Sequence, residues 1–294
     1  MRNVDIIESR QYRATIARPV RLEGLSVLDF QPCSGELLPA PAGSGIVFEV
    51  GGVPIALKPE NLVTGGPEHT TTLAAGGARV LTIEHFLAAV NAASIDDLLV
   101  RTGKRGLPLP DFSAAKYAEA LAAAGRAELP AKRRVYRILR EFSLDVPGDG
   151  RRVEFRPVAD GRLELEAVTV FGPPIGTQTA AYREGQSDFQ SELAWARSFV
   201  PRPLDDAGDK WERVRRRYPV LPADPKDSPL LAFNAGGFIT PLRRPDEPGR
   251  HKLVDLMGDL MLAGRRVAGG IRVIKPGHSF NAAIARRLGE EAGD

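Results

Sequence analysis

The first eighty residues place apolar and polar positions in short runs of a kind that predicts β-strands. Gly and Pro separate these runs, which include YRATI, GIVFEV and VPIAL. No helix is predicted in this part of the chain. The pattern then changes to helical spacing in TIEHFLAAVNAA, where Ile83, Phe86, Leu87 and Val90 recur on one face. A strand-like run, IDDLLVR, and an Ala-rich helix ending at Gly125 follow.

The second half of the chain repeats this order of elements. Strands are predicted for YRILREFSLDV, RRVEFRPV, RLELEAVTVF and GGIRVIKPG, and helices for HKLVDLMGDLMLAG and HSFNAAIARRLGEEAG. We therefore predict an α+β fold of two similarly built domains, residues 1–128 and 134–294, each layering two main helices on a β-sheet. Nine of the 24 prolines fall between Pro201 and Pro248, which predicts a loop-rich insertion at about 200–250 in the second domain. WERVRRRY is the candidate for one short helix in that insertion.

Composition excludes several classes of protein. Hydrophobic residues make up 43% and charged residues 26% of the 294 residues, as in an ordinary globular protein. No apolar stretch approaches the roughly 20 residues of a membrane-spanning helix, and the charged start MRNVDIIESRQYRA is unlike a secretory signal. We therefore expect a cytoplasmic protein without a transmembrane segment. The basic residues behind the net charge of +3 are scattered, which argues against nucleic-acid binding, and the single cysteine, Cys33, excludes an internal disulfide.

The polar stripe of one predicted helix is the most informative candidate for chemistry. In RHKLVDLMGDL, His251, Asp255 and Asp259 follow i, i+4, i+8 spacing and share one face, with Leu and Met on the other. Imidazole nitrogen and carboxylate oxygen both suit Zn²⁺, whose catalytic sites typically take three protein ligands. The same spacing is also typical of a solvated helix face, and the pattern alone leaves both readings open.

Two further segments place ionisable residues at helix starts. Glu84 immediately precedes His85 in TIEHF, a pair that could supply a general base and a metal ligand to one pocket. The alternative is an acidic residue favoured by the helix dipole, beside a partly buried His. His278 opens the closing helix in PGHSFNAAIARRL, where a simple capping residue is the alternative. Each signal is weak by itself, and only their combination points to a site.

Four segments together resemble one known family. TIEHFLAAVNAASIDD, LPLPDFSAAKYAEAL, RHKLVDLMGDLMLAG and KPGHSFNAAIARRL stand in the order seen in the zinc-dependent UDP-3-O-acyl-N-acetylglucosamine deacetylases of lipid A synthesis. PAPAGSGIVFEV and ELAWARSF are also similar to segments of that family. The resemblance covers nearly the whole chain. It implies two domains that each layer helices on a sheet, in agreement with the repeated pattern.

The resemblance also implies chemical roles for the candidate residues. The residues implied to bind zinc are His85, His251 and Asp255. Glu84 would be the general base for the attacking water. His278 would protonate the leaving amine and stabilise the oxyanion, and Asp259 would hold its imidazole in the charged form, because a nearby carboxylate raises the pKa of a histidine.

Residues for substrate binding are carried over from the family in the same way. Lys252 would face the sugar nucleotide, and Arg156, where the family usually has a Lys, would contact its phosphates. Ser198 replaces the usual Thr in ARSF and keeps a hydroxyl for the oxyanion. Phe199, beside it, is counted with the substrate-binding residues. His69 has no assigned role.

The chain departs from the family in two places that concern the substrate. EGLSVLDF stands where the family has a Gly-rich GLHxG turn, so that His is absent and Leu28 is its approximate counterpart. After Phe199 the family has an insertion that forms an apolar passage for the acyl chain, whereas WERVRRRY is a poor lining for one. The residues that could line a shorter passage are Leu230, Leu231, Phe233 and Phe238.

The function implied by the resemblance is that of a monomeric, zinc-dependent amidohydrolase. It would hydrolyse the N-acetyl amide of a UDP-3-O-acyl-N-acetylglucosamine-like sugar nucleotide to acetate and the free amine. Two alternatives stay open: a deacetylase of another N-acetylated sugar without a long acyl chain, and a non-catalytic binding protein on the same fold. The altered insertion motivates the first. The joint presence of Glu84, Asp259 and His278 argues against the second, because a binding protein needs neither a base nor an acid.

Overall fold

The N-terminal half of the chain is built mainly from strands. The computed structural model describes residues 2–26, 31–63, 70–109, 111–200, 211–212, 215–216 and 221–294. The elements of this half are β1 (Val4–Ile16), β2 (Val20–Leu25), β3 (Pro32–Pro39), β4 (Ile46–Val50), β5 (Val53–Ala56), β6 (Thr72–Ala75), β7 (Ala78–Leu81), α1 (Glu84–Ala92), β8 (Leu98–Thr102) and α2 (Ala115–Ala124). Before α1, the described residues form strands and one 3-10 turn at Pro59–Asn61, which confirms the β-rich start.

The C-terminal half repeats strands followed by helices. Its elements are β9 (Arg126–Ile138), β10 (Phe142–Val146), β11 (Arg151–Arg156), β12 (Leu163–Val170), β13 (Thr177–Arg183), α3 (Phe189–Glu192), β14 (Phe233–Asn234), β15 (Gly237–Phe238), α4 (Glu247–Asp259), β16 (Arg266–Ile274) and α5 (His278–Ala292). Of the short helix predicted at WERVRRRY, residues 211–212 and 215–216 are helical, and the rest lies outside the described residues. None of the helices in the described part of the chain has the length and apolar character that crossing a bilayer requires.

Two larger sheets carry the helices. The five-stranded sheet has the order β2-β3-β8-β4-β5 and comes entirely from the N-terminal half. The seven-stranded sheet has the order β1-β9-β16-β11-β10, with β12 paired to both β16 and β13. β1 runs antiparallel to β9, with Val4 opposite Ile138, so the first strand of the chain belongs to the sheet of the C-terminal half. The domain limits 1–128 and 134–294 stay a prediction.

Alternating burial within the strands shows how the sequence sets the two faces of the seven-stranded sheet. In β12, Leu163, Leu165 and Ala167 are buried, and the residues between them keep solvent exposure. Successive side chains of a strand point to opposite faces, so one face of β12 is apolar and packs against α4. Helices layered on sheets in both halves confirm the predicted α+β fold.

The two helices that carry the candidate ligands approach each other unusually closely. A Cβ added to Gly258 in α4 would lie 2.0 Å from the carbonyl oxygen of Glu84 in α1, well inside van der Waals contact. Asn91 ties the other end of α1 to the same helix, because its amide donates to the carbonyl oxygen of Met257 over 2.9 Å. The absence of a side chain at Gly258 therefore sets the spacing between α1 and α4.

The close spacing of α1 and α4 predicts that Gly258→Ala lowers the stability of the protein. Ala is normally favoured over Gly inside a helix by about 1 kcal/mol. Here the clash with the Glu84 carbonyl would push α1 and α4 apart, so we expect the free energy of unfolding to fall by about 2 kcal/mol or more. Denaturant unfolding followed by circular dichroism measures the change.

Gly289→Ala in α5 is the matched control for this prediction. A Cβ at that position would meet the Tyr136 hydroxyl at 3.4 Å, which is ordinary contact, so the variant should be as stable as the wild type or more stable. An equally stable Gly258→Ala protein would contradict the role given to the close approach.

Candidate active site

Three potential metal ligands converge where α1 faces α4. His85 comes from α1, and His251 and Asp255 lie one turn apart on α4, so the predicted i, i+4 spacing does place them on one face. One ligand atom from each lies within 4.8 Å of the others, and all three residues are buried. The Nε2 atoms of His85 and His251 lie 3.4 and 3.3 Å from the two carboxylate oxygens of Asp255. We call these three residues the metal cluster.

The metal cluster contains polar atoms that the protein leaves unsatisfied. Both ring nitrogens of His85, Nδ1 of His251 and Oδ1 of Asp255 are buried and have no hydrogen-bond partner among the described residues. Each such atom costs about 1–3 kcal/mol, so their concentration at one point needs an explanation. A cation bound between the three side chains would give a partner to one ring nitrogen of each histidine and to a carboxylate oxygen of Asp255, and the donor set therefore fits a metal ion.

Charge states in the metal cluster also suit metal binding. Burial lowers the pKa of His251 well below its usual value, which favours the neutral imidazole that coordinates metals. Burial acts to raise the pKa of Asp255, but the surrounding positive charge, including the Lys252 ammonium 2.8 Å from Oδ2, outweighs it and lowers that pKa well below its usual range. The result is a neutral imidazole beside an ionised carboxylate.

Glu84 lies next to the metal cluster as the first residue of α1. Its Oε2 accepts a hydrogen bond from the backbone N–H of Thr71 over 3.0 Å and lies 3.5 Å from the Thr70 hydroxyl. The side chain is buried, and this burial raises the pKa of its carboxyl above the usual value, against the opposing charges of His278 and His85. A carboxylate with a raised pKa is a stronger base than one in water.

His278 is the first residue of α5 and is held by Asp259. Its Nδ1 lies 3.0 Å from Oδ2 of Asp259, and its Nε2 lies 3.8 Å from Oδ2 of Asp255, so the ring extends from Asp259 toward the metal cluster. Burial acts to lower the pKa of His278, but Asp259 and Asp255 outweigh it and raise that pKa to about 9. The imidazole is therefore charged at neutral pH and able to donate a proton.

Two polar residues that sequence reasoning missed complete this arrangement. The Thr71 hydroxyl donates to Oδ1 of Asp259 over 2.5 Å, and the Asn281 amide donates to Oδ2 over 2.9 Å. Asn281 lies one turn after His278 on α5, so i, i+3 spacing was a signal that could have identified it. Thr71 lies in the stretch PEHTTTL, which reads as a polar loop, and no local pattern distinguishes it.

Phe199 and Lys252, the residues predicted to bind substrate, lie beside the metal cluster. The Phe199 ring meets the His251 ring edge-on at 5.4 Å between centroids, and the Lys252 ammonium lies 5.4 Å from the Phe199 centroid. Lys252 also pairs with Asp255, with Nζ 2.8 Å from Oδ2. These contacts place an aromatic face and a cation at the edge of the site.

Ser198 precedes Phe199 in a segment fixed by backbone and side-chain contacts. Its N–H donates to the Phe112 carbonyl over 2.8 Å. Just before it, the guanidinium of Arg197 pairs with the buried carboxylate of Glu247, with Nε 2.7 Å from Oε1. Because Glu247 opens α4, this ion pair fixes the Ser198 segment relative to the helix that carries His251.

Arg156 lies on the other side of the seven-stranded sheet. Its neighbour Phe155 is buried and in register with Ile271 on β16, on the face that the helices cover. Alternation along the strand turns Arg156 to the opposite face, where its guanidinium pairs with Glu164 on β12. The structure therefore does not bring Arg156 together with the metal cluster. Leu28 and His69 lie outside the described residues.

Aromatic side chains extend from Phe199 away from His251. The Phe171 and Phe233 rings lie 5.5 and 6.4 Å from the Phe199 ring, and Phe238 lies 6.2 Å from Phe233. Of the residues suggested for a passage, Leu230, Leu231 and Phe233 are buried in the core, and Phe238 keeps accessible surface. Phe171, Phe199 and Phe238, all half-buried, are thus the rings of this row that a ligand can touch.

Comparison with known proteins gives the family of the chain. The family model described as UDP-3-O-acyl N-acetylglycosamine deacetylase matches residues 13–290. Proteins named UDP-3-O-acyl-N-acetylglucosamine deacetylase from Brucella ovis, Brucella canis and Brucella abortus are each 33% identical to the chain over 286 residues, which cover 94% of this chain and 95% of each relative. The matched range contains the positions of the metal cluster and those of Glu84, Asp259 and His278. The chain therefore belongs to the UDP-3-O-acyl N-acetylglycosamine deacetylase family.

Proposed function

We propose that this protein is a zinc-dependent deacetylase that hydrolyses the N-acetyl amide of a UDP-3-O-acyl-N-acetylglucosamine-like sugar nucleotide. The observation that carries the proposal is the placement of a buried carboxylate, Glu84, and a charged imidazole, His278, beside one metal cluster. Amide hydrolysis needs a base for the water and an acid for the leaving amine, and these two groups can supply both. The family and the names of the relatives support this substrate class.

We assign zinc to the metal cluster on the chemistry of its donors. Two imidazoles and one carboxylate form a set that catalytic zinc sites use, with a fourth position left for water or substrate. The residues that would hold the ion are His85, His251 and Asp255. When bound, zinc acts as a Lewis acid that polarises the amide carbonyl.

Glu84 acts as the general base in the proposed reaction. Its carboxylate takes a proton from the attacking water as the water oxygen bonds to the amide carbon. The backbone N–H of Thr71 holds one carboxylate oxygen and leaves the other free to receive that proton. The raised pKa of Glu84, caused by burial, favours the transfer.

His278 acts as the general acid on the leaving group. As the carbon–nitrogen bond breaks, Nε2 donates its proton to the amine nitrogen, and the products are acetate and the free sugar amine. Nδ1 stays bound to Asp259, which fixes the ring orientation and favours the charged form before the transfer. The charged ring of His278 also stabilises the developing oxyanion. We assign a second stabilising contact to the hydroxyl of Ser198.

Substrate recognition is assigned to the groups at the edge of the site. Lys252 faces the sugar nucleotide, and the half-buried rings of Phe199 and Phe238 offer an apolar surface to an acyl chain. Arg156 would meet the phosphates only if the nucleotide extended around the sheet, since the guanidinium lies on the face away from the helices. We also propose that the protein is a monomer and that it acts in the cytoplasm.

Chelator-sensitive release of free amine tests the proposed function directly. Zinc-loaded protein should release amine and acetate from UDP-3-O-acyl-N-acetylglucosamine, and a chelator should abolish this release until zinc is restored. The unacylated UDP-N-acetylglucosamine is the matched substrate. Turnover of that substrate alone would move the function to another N-acetylated sugar. No turnover of either, with zinc bound, would refute the deacetylase assignment.

Glu84→Gln tests the general base. The amide keeps the size of the side chain and can still accept from the Thr71 N–H, but it cannot take a proton. We expect kcat to fall by about 10²-fold or more, as for loss of a general base. Zinc content measured by elemental analysis should match the wild type. An unchanged rate would remove Glu84 from the mechanism.

Asp255→Ala tests the metal cluster. Loss of the carboxylate removes one of three ligands, so the purified variant should hold much less zinc than the wild type after dialysis. Asp246→Ala is the matched control, because Asp246 directly precedes α4 but pairs with Arg250 near the surface. Wild-type zinc content in the Asp255 variant would show that the ligand set is wrong.

A further inference from the structure

Thr71 contacts both ionisable partners of the proposed reaction. Its backbone N–H donates to Oε2 of Glu84 over 3.0 Å, and its hydroxyl donates to Oδ1 of Asp259 over 2.5 Å. The same hydroxyl oxygen lies 3.3 Å from Nδ1 of His278. The residue is 3% exposed, so water does not compete for these bonds. One residue thus touches the proposed base and the carboxylate that holds the proposed acid.

The backbone of Thr71 is fixed to the start of α1. Besides the bond to Glu84, its carbonyl oxygen accepts from the N–H of Ile83 over 3.4 Å. Both bonds involve main-chain atoms of Thr71 and are therefore independent of its side chain. They lock the position from which the hydroxyl reaches across to α4.

The hydroxyl completes the hydrogen bonding of Asp259. Oδ2 of this buried carboxylate faces His278 and the Asn281 amide, and Oδ1 faces Thr71. The Thr71 hydroxyl has one proton, which it gives to Oδ1, so its lone pair is left facing the ring nitrogen of His278. The hydroxyl consequently fixes the orientation of the Asp259 carboxylate and that of the His278 ring.

We propose that Thr71 is a positioning residue that fixes the placement of His278 relative to Glu84. This inference rests on the proposed function, which gives those two groups their roles as acid and base. Glu84 comes from α1, and His278 and Asp259 come from the C-terminal end of the chain. Thr71 joins these two parts of the site, because its backbone N–H donates to Glu84 and its hydroxyl donates to Asp259.

Loss of the Thr71 hydroxyl should affect proton donation by His278 more than it affects substrate binding. Without it, Oδ1 of Asp259 is buried without a partner, and the carboxylate can rotate and carry the His278 ring with it. A small misplacement of a proton donor slows proton transfer steeply, because the donor must reach the leaving nitrogen. The residues assigned to substrate recognition are not bonded to Thr71.

The test compares Thr71→Val, Thr71→Ser and Thr72→Val. Loss of a hydrogen bond to a charged group should lower kcat of Thr71→Val by about 10- to 100-fold, with KM and zinc content near the wild-type values. Thr71→Ser restores the hydroxyl and should recover most of the rate. Thr72 is the matched control, because it is also 3% exposed and its buried hydroxyl has no partner among the described residues. Thr72→Val should keep wild-type activity.

A double variant shows whether Thr71 acts through Asp259. If it does, Thr71→Val in an Asp259→Asn background should lower kcat no further than Asp259→Asn alone. An additive loss, or a Thr71→Val enzyme with wild-type kcat, would overturn the positioning role. Thermal unfolding of each variant shows whether a lower kcat results from an unfolded protein or from a folded protein with a slower reaction.

Ring-nitrogen NMR of histidine-labelled protein gives a readout that does not depend on activity. The chain has four histidines, and His278→Gln assigns the relevant signal. Thr71→Val should move the Nδ1 resonance of His278, and Thr72→Val should not. Absence of wild-type turnover would refute the proposed function, and the spectrum would still decide whether Thr71 holds His278. An unmoved resonance would overturn that placement.

Discussion

The close approach of α1 and α4 is the constraint on which the site depends. His85 and Glu84 stand at the start of α1, and Asp255 lies just under one turn before Gly258 on α4, so the distance between the two helix backbones sets the distance between the ligands. A bulkier residue at position 258 would widen the metal cluster. The bond from Asn91 to Met257 fixes the far end of α1 in the same way and keeps the helices from splaying.

The carboxylates of Asp255 and Asp259 lie one turn apart on α4 but have different hydrogen-bonding environments. The oxygens of Asp259 are bonded to Thr71, Asn281 and His278, so the protein satisfies this carboxylate completely. Asp255 has a buried oxygen without a partner among the described residues, which leaves it free to bind a cation. Burial makes this difference large, because an unpaired charge in the interior costs several kcal/mol. The fold therefore leaves Asp255 available as a ligand and makes Asp259 a support for His278.

Much of the fold and part of the site follow from local patterns in the sequence. Helical spacing placed His251, Asp255 and Asp259 on one face, and alternation predicted strands such as β12. The contact of His85 with Asp255 could not be read from spacing, because the two residues lie on different helices; the family resemblance supplied it. Thr71 was missed because its partners are far away in the chain, and the placement of Arg156 depends on which face of the sheet the helices cover.

The order of strands in the seven-stranded sheet has a consequence for synthesis of the chain. β16 follows the other described strands of this sheet along the chain, yet it lies between β9 and β11 and also pairs with β12. Until it leaves the ribosome, β1 can pair with β9, and β10 with β11, but these pieces have no strand to join them. Because α5 follows β16, His278, the residue proposed as general acid, also reaches the site only after that strand has been made. Until β16 joins the sheet, the nascent chain must therefore keep two open sheet edges from pairing with other chains.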